Sequence, residues 1–135
     1  MALSLIAAAA GALAHLIAHP GAESVMIGAS AAISGQTAAA VRFAFAPGGP
    51  LGGGFGRRAY FLPAPSLRQT LFDGRAVAFL AVWFAINLIF GLESALVPGV
   101  GGAIAWQAHI GGFLAGLILF RLLDPVGRAP PGDDL

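Results

Sequence analysis

The chain has 135 residues, of which 58% are hydrophobic and only 10% are charged, and its mean hydropathy is +0.85. This composition excludes an ordinary soluble domain and indicates an integral membrane protein. The formal net charge of +1 provides no basic surface for a nucleic acid, and the absence of cysteine excludes disulfides, thiolate metal sites and cysteine nucleophiles.

Four apolar segments predict an all-α, polytopic bundle of four transmembrane helices. They run over residues 2–19, 25–46, 76–92 and 103–123. At about 1.5 Å of rise per residue, each can cross a hydrocarbon core about 30 Å thick, with some tilt or shortfall. We predict a single domain over residues 1–125, followed by a disordered polar tail over residues 126–135. A signal peptide is the less favoured interpretation of the first segment, because that segment lacks a basic n-region.

The connection over residues 47–74 is rich in glycine and proline, and we interpret it as a flexible loop. Arginines flank or occupy this loop and follow the fourth segment, whereas the other two connections carry no lysine or arginine. The positive-inside rule therefore predicts that the loop and both termini are cytoplasmic. The arginines are Arg42, Arg57, Arg58, Arg68, Arg75, Arg121 and Arg128.

Ser30 and His109 stand at similar depths in this predicted topology. Ser30 lies about five residues, or about 7 Å, inside the second segment, and His109 lies about six residues, or about 9 Å, inside the fourth. Both segments start at the outer face. A serine becomes a nucleophile when a base accepts its proton, and histidine is the usual base. The pair is therefore a candidate catalytic site, although Ser30 alone is equally consistent with packing and His109 alone with a proton relay or a buried hydrogen bond.

Small residues accompany both candidates. Gly112 and Gly116 follow His109 at i+3 and i+7, so they share its helix face and form a small-xxx-small pair that allows close helix packing. Ser30 begins the equally small-sided stretch SAAISGQTAAA, in which we interpret Ser34 as a packing residue. These glycines indicate close helix packing. They bear on catalysis only because such packing would bring Ser30 and His109 close together.

Other polar residues do not suggest a second site. His15 and His19 have the i,i+4 spacing of metal ligands, but the chain offers no convincing further ligands, so we predict no metal site. Gln36, Asn87 and Gln107 lie in apolar segments, where polar side chains need partners. We expect each of them to form an interhelical hydrogen bond.

Two stretches resemble a known family. GASAAISG, residues 28–35, resembles the Gly-x-Ser-Gly motif of rhomboid intramembrane serine proteases, and AHIGGFLAG, residues 108–116, resembles the histidine-bearing last helix of their core. The order of the motifs, the apolar segment between them and the HPG entry also fit, so the resemblance covers residues 2–125. It implies a rhomboid-like bundle that cleaves transmembrane segments of other proteins near the membrane surface.

The resemblance also implies roles for individual residues. Ser30 would be the nucleophile, and His109 would act as general base and then as general acid. Gly28 and Ala29 would support the oxyanion through the backbone, where the start of the helix offers free N–H groups. Helix packing near the site would fall to Ala31, Gly112 and Gly116. The expected partners are transmembrane substrates and the bilayer, without metal or cofactor, in the bacterial inner (plasma) membrane.

Two features depart from the family pattern. Ala31 replaces the motif's final glycine, and the chain contains no His-x-x-x-Asn pair, which in the family's second span helps to stabilise the oxyanion. The four segments would correspond to spans three to six of the six-span core, so we expect an N-terminally short chain. Three explanations stay open: a truncated gene model, a fragment of a longer protease, and a homologue that has lost activity.

Two other function classes are alternatives. A non-catalytic rhomboid-like protein would bind transmembrane clients without cleaving them, but it would have no need of a serine matched in depth to a histidine. A channel or transporter subunit would need more charge inside the membrane than Arg42 supplies. The sequence does not predict the oligomeric state or the identity of a substrate.

Overall fold

The computed structural model describes residues 1–21, 29–96, 105–124 and 126, and for residues 92–96 the description covers the backbone alone. Regular structure in these ranges is entirely helical, in agreement with the predicted all-α class. The helices are α1 (Ala2–Ala18), α2 (Ser30–Ala44), α3 (Leu67–Phe72), α4 (Gly74–Leu96) and α5 (Trp106–Leu123), with a 3₁₀ helix at Arg57–Tyr60.

Two of the described helices are long and apolar enough to cross a membrane. They are the Gly74–Gly91 part of α4 and the whole of α5. Helix α1 is apolar but has 17 residues, and α2 has 15 residues. The expected count of four transmembrane helices therefore stays a prediction.

The bundle is organised around α5. This helix packs against both α1 and α2, which also pack against each other, while α4 lies at the side and makes fewer contacts with α5. One buried apolar cluster joins α2, α4 and α5. Its members are Ala38, Val41, Ala76, Leu80, Phe113 and Leu117.

Helix α4 begins two residues earlier than the apolar pattern predicts, because Asp73 caps it. One carboxylate oxygen of Asp73, Oδ1, accepts hydrogen bonds from the backbone N–H groups of Arg75, at 2.9 Å, and Ala76, at 3.2 Å. These N–H groups have no acceptor within the helix, so the carboxylate satisfies them and extends the helix to Gly74. The pattern of apolar residues in the sequence does not by itself reveal such a cap.

The segment over residues 47–74, which we interpret from composition as a flexible loop, contains regular turns and two short helices. The chain forms tight turns there, with Leu51 N–H donating to Ala44 O at 2.8 Å and Gly54 N–H donating to Gly49 O at 2.9 Å. Gly48 and Gly53 adopt φ values of 82° and 88°, which other residues rarely adopt. Glycine is therefore required in this segment, because some positions have positive φ angles and others lie too close to the backbone for a side chain.

The end of the bundle at the C-termini of α2 and α5 contains buried ionisable groups, which we call the clamp end. Arg42 is 1% exposed and donates to the carbonyl oxygens of Leu117 and Pro65. Asp124 is 3% exposed, and its Oδ2 accepts from Ala64 N–H at 2.7 Å. Arg42 and Asp124 thereby fasten the connection over residues 47–74 to helices α2 and α5.

Candidate active site

Helix α2 begins at Ser30 itself. Ala29 is the N-cap residue, with φ −82° and ψ 7°, and its carbonyl accepts the first backbone bond of the helix, from Ile33 N–H at 3.0 Å. Ser30 is exposed. The expectation that Ser30 lies five residues inside the helix is therefore wrong: it occupies the first turn, where N–H groups lack acceptors within the helix. Gly28 lies outside the described residues.

Helix α5 begins at Trp106, so His109 also lies in a first turn and is half-buried. The apolar pattern placed the start of this helix at residue 103, which lies outside the described residues. Both members of the candidate pair thus stand at the beginnings of their helices. Each residue therefore lies closer to the start of its helix than the sequence predicts.

Helices α2 and α5 are parallel and in backbone contact. A Cβ built on Gly112 would overlap the backbone carbonyl of Ala31, and one built on Gly116 would overlap that of Gly35. In this register residue 111 is level with Ser30, so His109 precedes that level by two residues, or about 3 Å along the axis. The packing therefore leaves Ser30 and His109 about 3 Å apart along the bundle axis.

The methyl group of Ala31 fits because α1 has a glycine opposite it. Ala31 is 5% exposed. A Cβ built on Gly11 would lie 2.5 Å from Ala31 Cβ and 2.6 Å from Ala108 O, so α1 approaches both helices at this point. The departure from the family's glycine is thus accommodated by Gly11 at the position where α1, α2 and α5 meet.

The imidazole of His109 contacts helix α4. Its Nδ1 lies 2.9 Å from Asn87 Oδ1, and the Nδ2 of that asparagine donates to Trp83 O at 2.8 Å. The expectation of an interhelical hydrogen bond from Asn87 is confirmed. In the part of the chain that the structure describes, no hydrogen bond joins Ser30 to His109.

Sequence reasoning did not identify Asn87 as the partner of His109. The two residues are 22 positions apart, and no motif links them. A polar residue in an apolar helix indicates that a partner exists, but the identity of that partner depends on how α4 is rotated. Gln36 illustrates the same limit: its expected interhelical bond is found, to Ser4 Oγ at 2.9 Å, with a partner that the sequence did not indicate.

The candidate site contains no group suited to a metal ion. Within residues 1–21, 29–91, 105–124 and 126, no three His, Cys, Asp or Glu side chains lie close enough to hold one. The described residues of the site offer a hydroxyl, an imidazole, an amide and backbone N–H groups at helix starts.

These features define a bundle of apolar helices in which a serine and a histidine lie in the first turns of two parallel helices. The family model for the rhomboid domain matches residues 1–125, so the chain belongs to the rhomboid family, whose members are generally intramembrane serine proteases. No match is found among curated proteins or solved structures. Family membership and the apolar helices together indicate an integral membrane protein.

Proposed function

We propose that this protein is an intramembrane serine endopeptidase with Ser30 as nucleophile and His109 as general base. The observation that carries the proposal is the contact of Gly112 with Ala31, because its register sets His109 about two residues, or about 3 Å along the axis, from the level of Ser30. Ser30 is exposed, so its hydroxyl is accessible to a substrate. His109 is half-buried and held by a hydrogen bond to α4.

The proposed reaction has two covalent steps. Ser30 Oγ attacks the scissile carbonyl carbon while His109 accepts the hydroxyl proton, and His109 then donates that proton to the leaving amine nitrogen. The product is an ester between Ser30 and the N-terminal part of the substrate. A water molecule, deprotonated by His109, attacks this ester and restores the serine hydroxyl.

The start of α2 supports stabilisation of the oxyanion. Because α2 begins at Ser30, the N–H groups of its first turn and the positive end of the helix dipole lie beside the nucleophile. Donors aimed at a developing oxyanion contribute typically about 10²- to 10³-fold each to turnover. In this proposal Gly28 and Ala29 shape the approach to these N–H groups.

Substrates of this site would be transmembrane segments of other proteins. Both candidate residues lie at helix starts, opposite the arginine-rich connection. The arginines support a cytoplasmic location for that connection and for both termini. Cleavage would then occur near the outer face of the membrane, which we propose to be a bacterial inner membrane.

A rhomboid-like protein that binds transmembrane clients without cleaving them is the second candidate. The observation that favours it is the absence, among the described residues, of a hydrogen bond between Ser30 and His109. Catalytic hydrogen bonds are often long before substrate binds and tighten in the complex, so protease activity is still the function that the arrangement supports best.

Cleavage of single-span reporter proteins tests the proposal. The chain is reconstituted in vesicles with a set of reporters that differ in their transmembrane segments, and fragments are measured for wild type, Ser30→Ala and the matched control Ser34→Ala. We expect cleavage by wild type and by the control, and none by Ser30→Ala. Cleavage that survives Ser30→Ala would refute the assignment of the nucleophile. Reporters that co-purify intact with wild type would favour the binding protein.

A further inference from the structure

The amide of Asn87 lies between helices α4 and α5 in an orientation that its neighbours determine. A backbone carbonyl can only accept a hydrogen bond, so the group facing Trp83 O, at 2.8 Å, must be the NH₂ of the amide. The amide oxygen, Oδ1, consequently faces His109 Nδ1 at 2.9 Å. The assignment of oxygen and nitrogen in this amide therefore follows from the network.

This orientation determines the tautomer of the histidine. Oδ1 of Asn87 is only an acceptor, so the hydrogen bond at 2.9 Å requires a proton on His109 Nδ1. A neutral imidazole carries one N–H, so its lone pair is then on Nε2. Nε2 is thus the ring nitrogen that is able to accept a proton.

Aromatic packing holds the amide in this position. Trp83, one helical turn before Asn87, stacks on Phe113 of α5 with ring centroids 4.0 Å apart and planes inclined by 26°. Phe84 meets the same ring edge to face at 5.5 Å. Phe113 is 0% exposed and lies one turn after His109. The hydrogen bond and the aromatic cluster therefore join the same turns of α4 and α5.

We propose that Asn87 is a positioning residue for the reaction: it holds His109 in the tautomer whose Nε2 accepts the proton of Ser30. The role of Nε2 in the reaction rests on the proposed function, whereas the tautomer itself does not. Helix α4 thereby supplies a third group to the site, one that contacts neither the substrate nor the reacting atoms. Holding a catalytic histidine in the correct tautomer is a general requirement of base catalysis by this side chain.

The tautomer is measured directly by ¹⁵N nuclear magnetic resonance of histidine-labelled protein in detergent micelles, at a pH where the rings are neutral. The chain has three histidines, and the signals of His109 are those that disappear in His109→Ala. We expect wild type to carry its proton on Nδ1 and its lone pair on Nε2. A proton on Nε2 in wild type would overturn the proposal without any measurement of activity.

Variants then separate positioning from packing. Asn87→Leu keeps a similar volume and removes the acceptor, so we expect a mixed tautomer and a kcat lower by about 10- to 100-fold, with KM unchanged. Asn87→Asp keeps an acceptor oxygen, so we expect it to retain the proton on Nδ1 and to recover most of kcat. The matched control, Gln36→Leu, removes another interhelical hydrogen bond of 2.9 Å and should leave the tautomer unchanged.

The outcomes distinguish this inference from the proposed function. If cleavage depends on Ser30 but Asn87→Leu keeps both the wild-type tautomer and the wild-type kcat, the positioning role is wrong and the protease stands. If cleavage does not depend on Ser30 while the tautomer changes as expected in Asn87→Leu, the proposed function is wrong and the hydrogen bond still controls the ring. Equal loss of kcat in Asn87→Leu and Asn87→Asp, with an unchanged tautomer in both, would indicate packing and overturn the inference.

Discussion

The two ends of the helix bundle use polar side chains in opposite ways. At the clamp end, Arg42 is 1% exposed and Asp124 is 3% exposed, and both are hydrogen-bonded to backbone groups. At the other end, which we call the dyad end, Ser30 is exposed and His109 is half-buried with one ring nitrogen bonded to Asn87.

This difference distinguishes polar side chains that hold the fold together from polar side chains that are able to react. A buried charge is tolerated when hydrogen bonds satisfy it, and it then holds segments together. A group that is to react needs a lone pair or a proton donor that is not already hydrogen-bonded within the fold. At the clamp end the two terminal guanidinium nitrogens of Arg42 and the carboxylate of Asp124 are hydrogen-bonded to the backbone, while Arg42 Nε has no partner among the described residues. At the dyad end, no hydrogen bond of the described residues involves the Ser30 hydroxyl or His109 Nε2.

Removal of Arg42 should produce the largest loss of stability. Arg42→Leu leaves the carbonyls of Leu117 and Pro65 without their donor in a buried position, and we expect the free energy of unfolding to fall by about 2–4 kcal/mol. Thermal unfolding in detergent micelles measures this loss. The matched control is Arg58→Leu, an exposed arginine, which should change stability by about 0.5 kcal/mol or less. Equal effects of the two variants would contradict the structural role of the clamp.

A methyl group at Gly112 should disturb the dyad end. In Gly112→Ala the new Cβ overlaps the backbone of Ala31, so α2 and α5 must separate, at a cost of about 1–3 kcal/mol. Because Ser30 adjoins Ala31, we also expect reporter cleavage to fall further than the loss of folded protein explains. The control is Gly74→Ala, which has open space around its Cβ. A Gly112→Ala variant with wild-type stability and cleavage would show that the helices are not in backbone contact.

Neutralising Asp124 should have a smaller effect than removing Arg42. Asp124→Asn keeps an oxygen but loses the charge that strengthens the hydrogen bonds from Ala64 N–H, at 2.7 Å, and Val126 N–H, at 3.0 Å. We expect stability to fall by about 1 kcal/mol, with no change in the cleavage rate per folded molecule. A selective loss of cleavage would contradict the separation of the two ends.

The smallest effect should come from Asp73, and it should depend on pH. Hydrogen bonds from the Arg75 side chain and from Ala76 N–H hold the pKa of this half-buried carboxyl below its usual value. The carboxylate therefore stabilises the fold above its unfolded-state pKa, and this contribution is lost as the pH falls through the lowered pKa of the folded state. Thermal unfolding of Asp73→Asn should differ from that of wild type at neutral pH and converge with it in acid. A difference that persists unchanged at low pH would contradict this origin.

The sequence predicts some parts of this fold well because local signals determine them. The apolar run over residues 2–19 corresponds to α1 at Ala2–Ala18, and that over residues 103–123 ends with α5 at Leu123, before Asp124 and Pro125. Proline cannot continue a helix, so these ends are encoded locally. The pairing of Ser30 with His109, in contrast, stays a prediction.

Other parts depend on contacts that local patterns do not encode. The start of α2 at Ser30 was missed because the apolar run continues into the preceding residues. The connection over residues 47–74 appeared flexible because composition does not distinguish mobile glycines from those required by positive φ angles. The partner of His109 could not be named because it depends on the rotation of α4 against α5.

Mapping a covalent adduct tests the assignment of the nucleophile most directly. The chain in membranes is treated with a fluorophosphonate, which reacts with activated serines, and the modified residue is identified by mass spectrometry. The account predicts an adduct on Ser30 that is lost in Ser30→Ala and in His109→Ala and is retained in Ser34→Ala. An adduct on a different residue, or labelling that is unchanged in His109→Ala, would contradict the proposed pair.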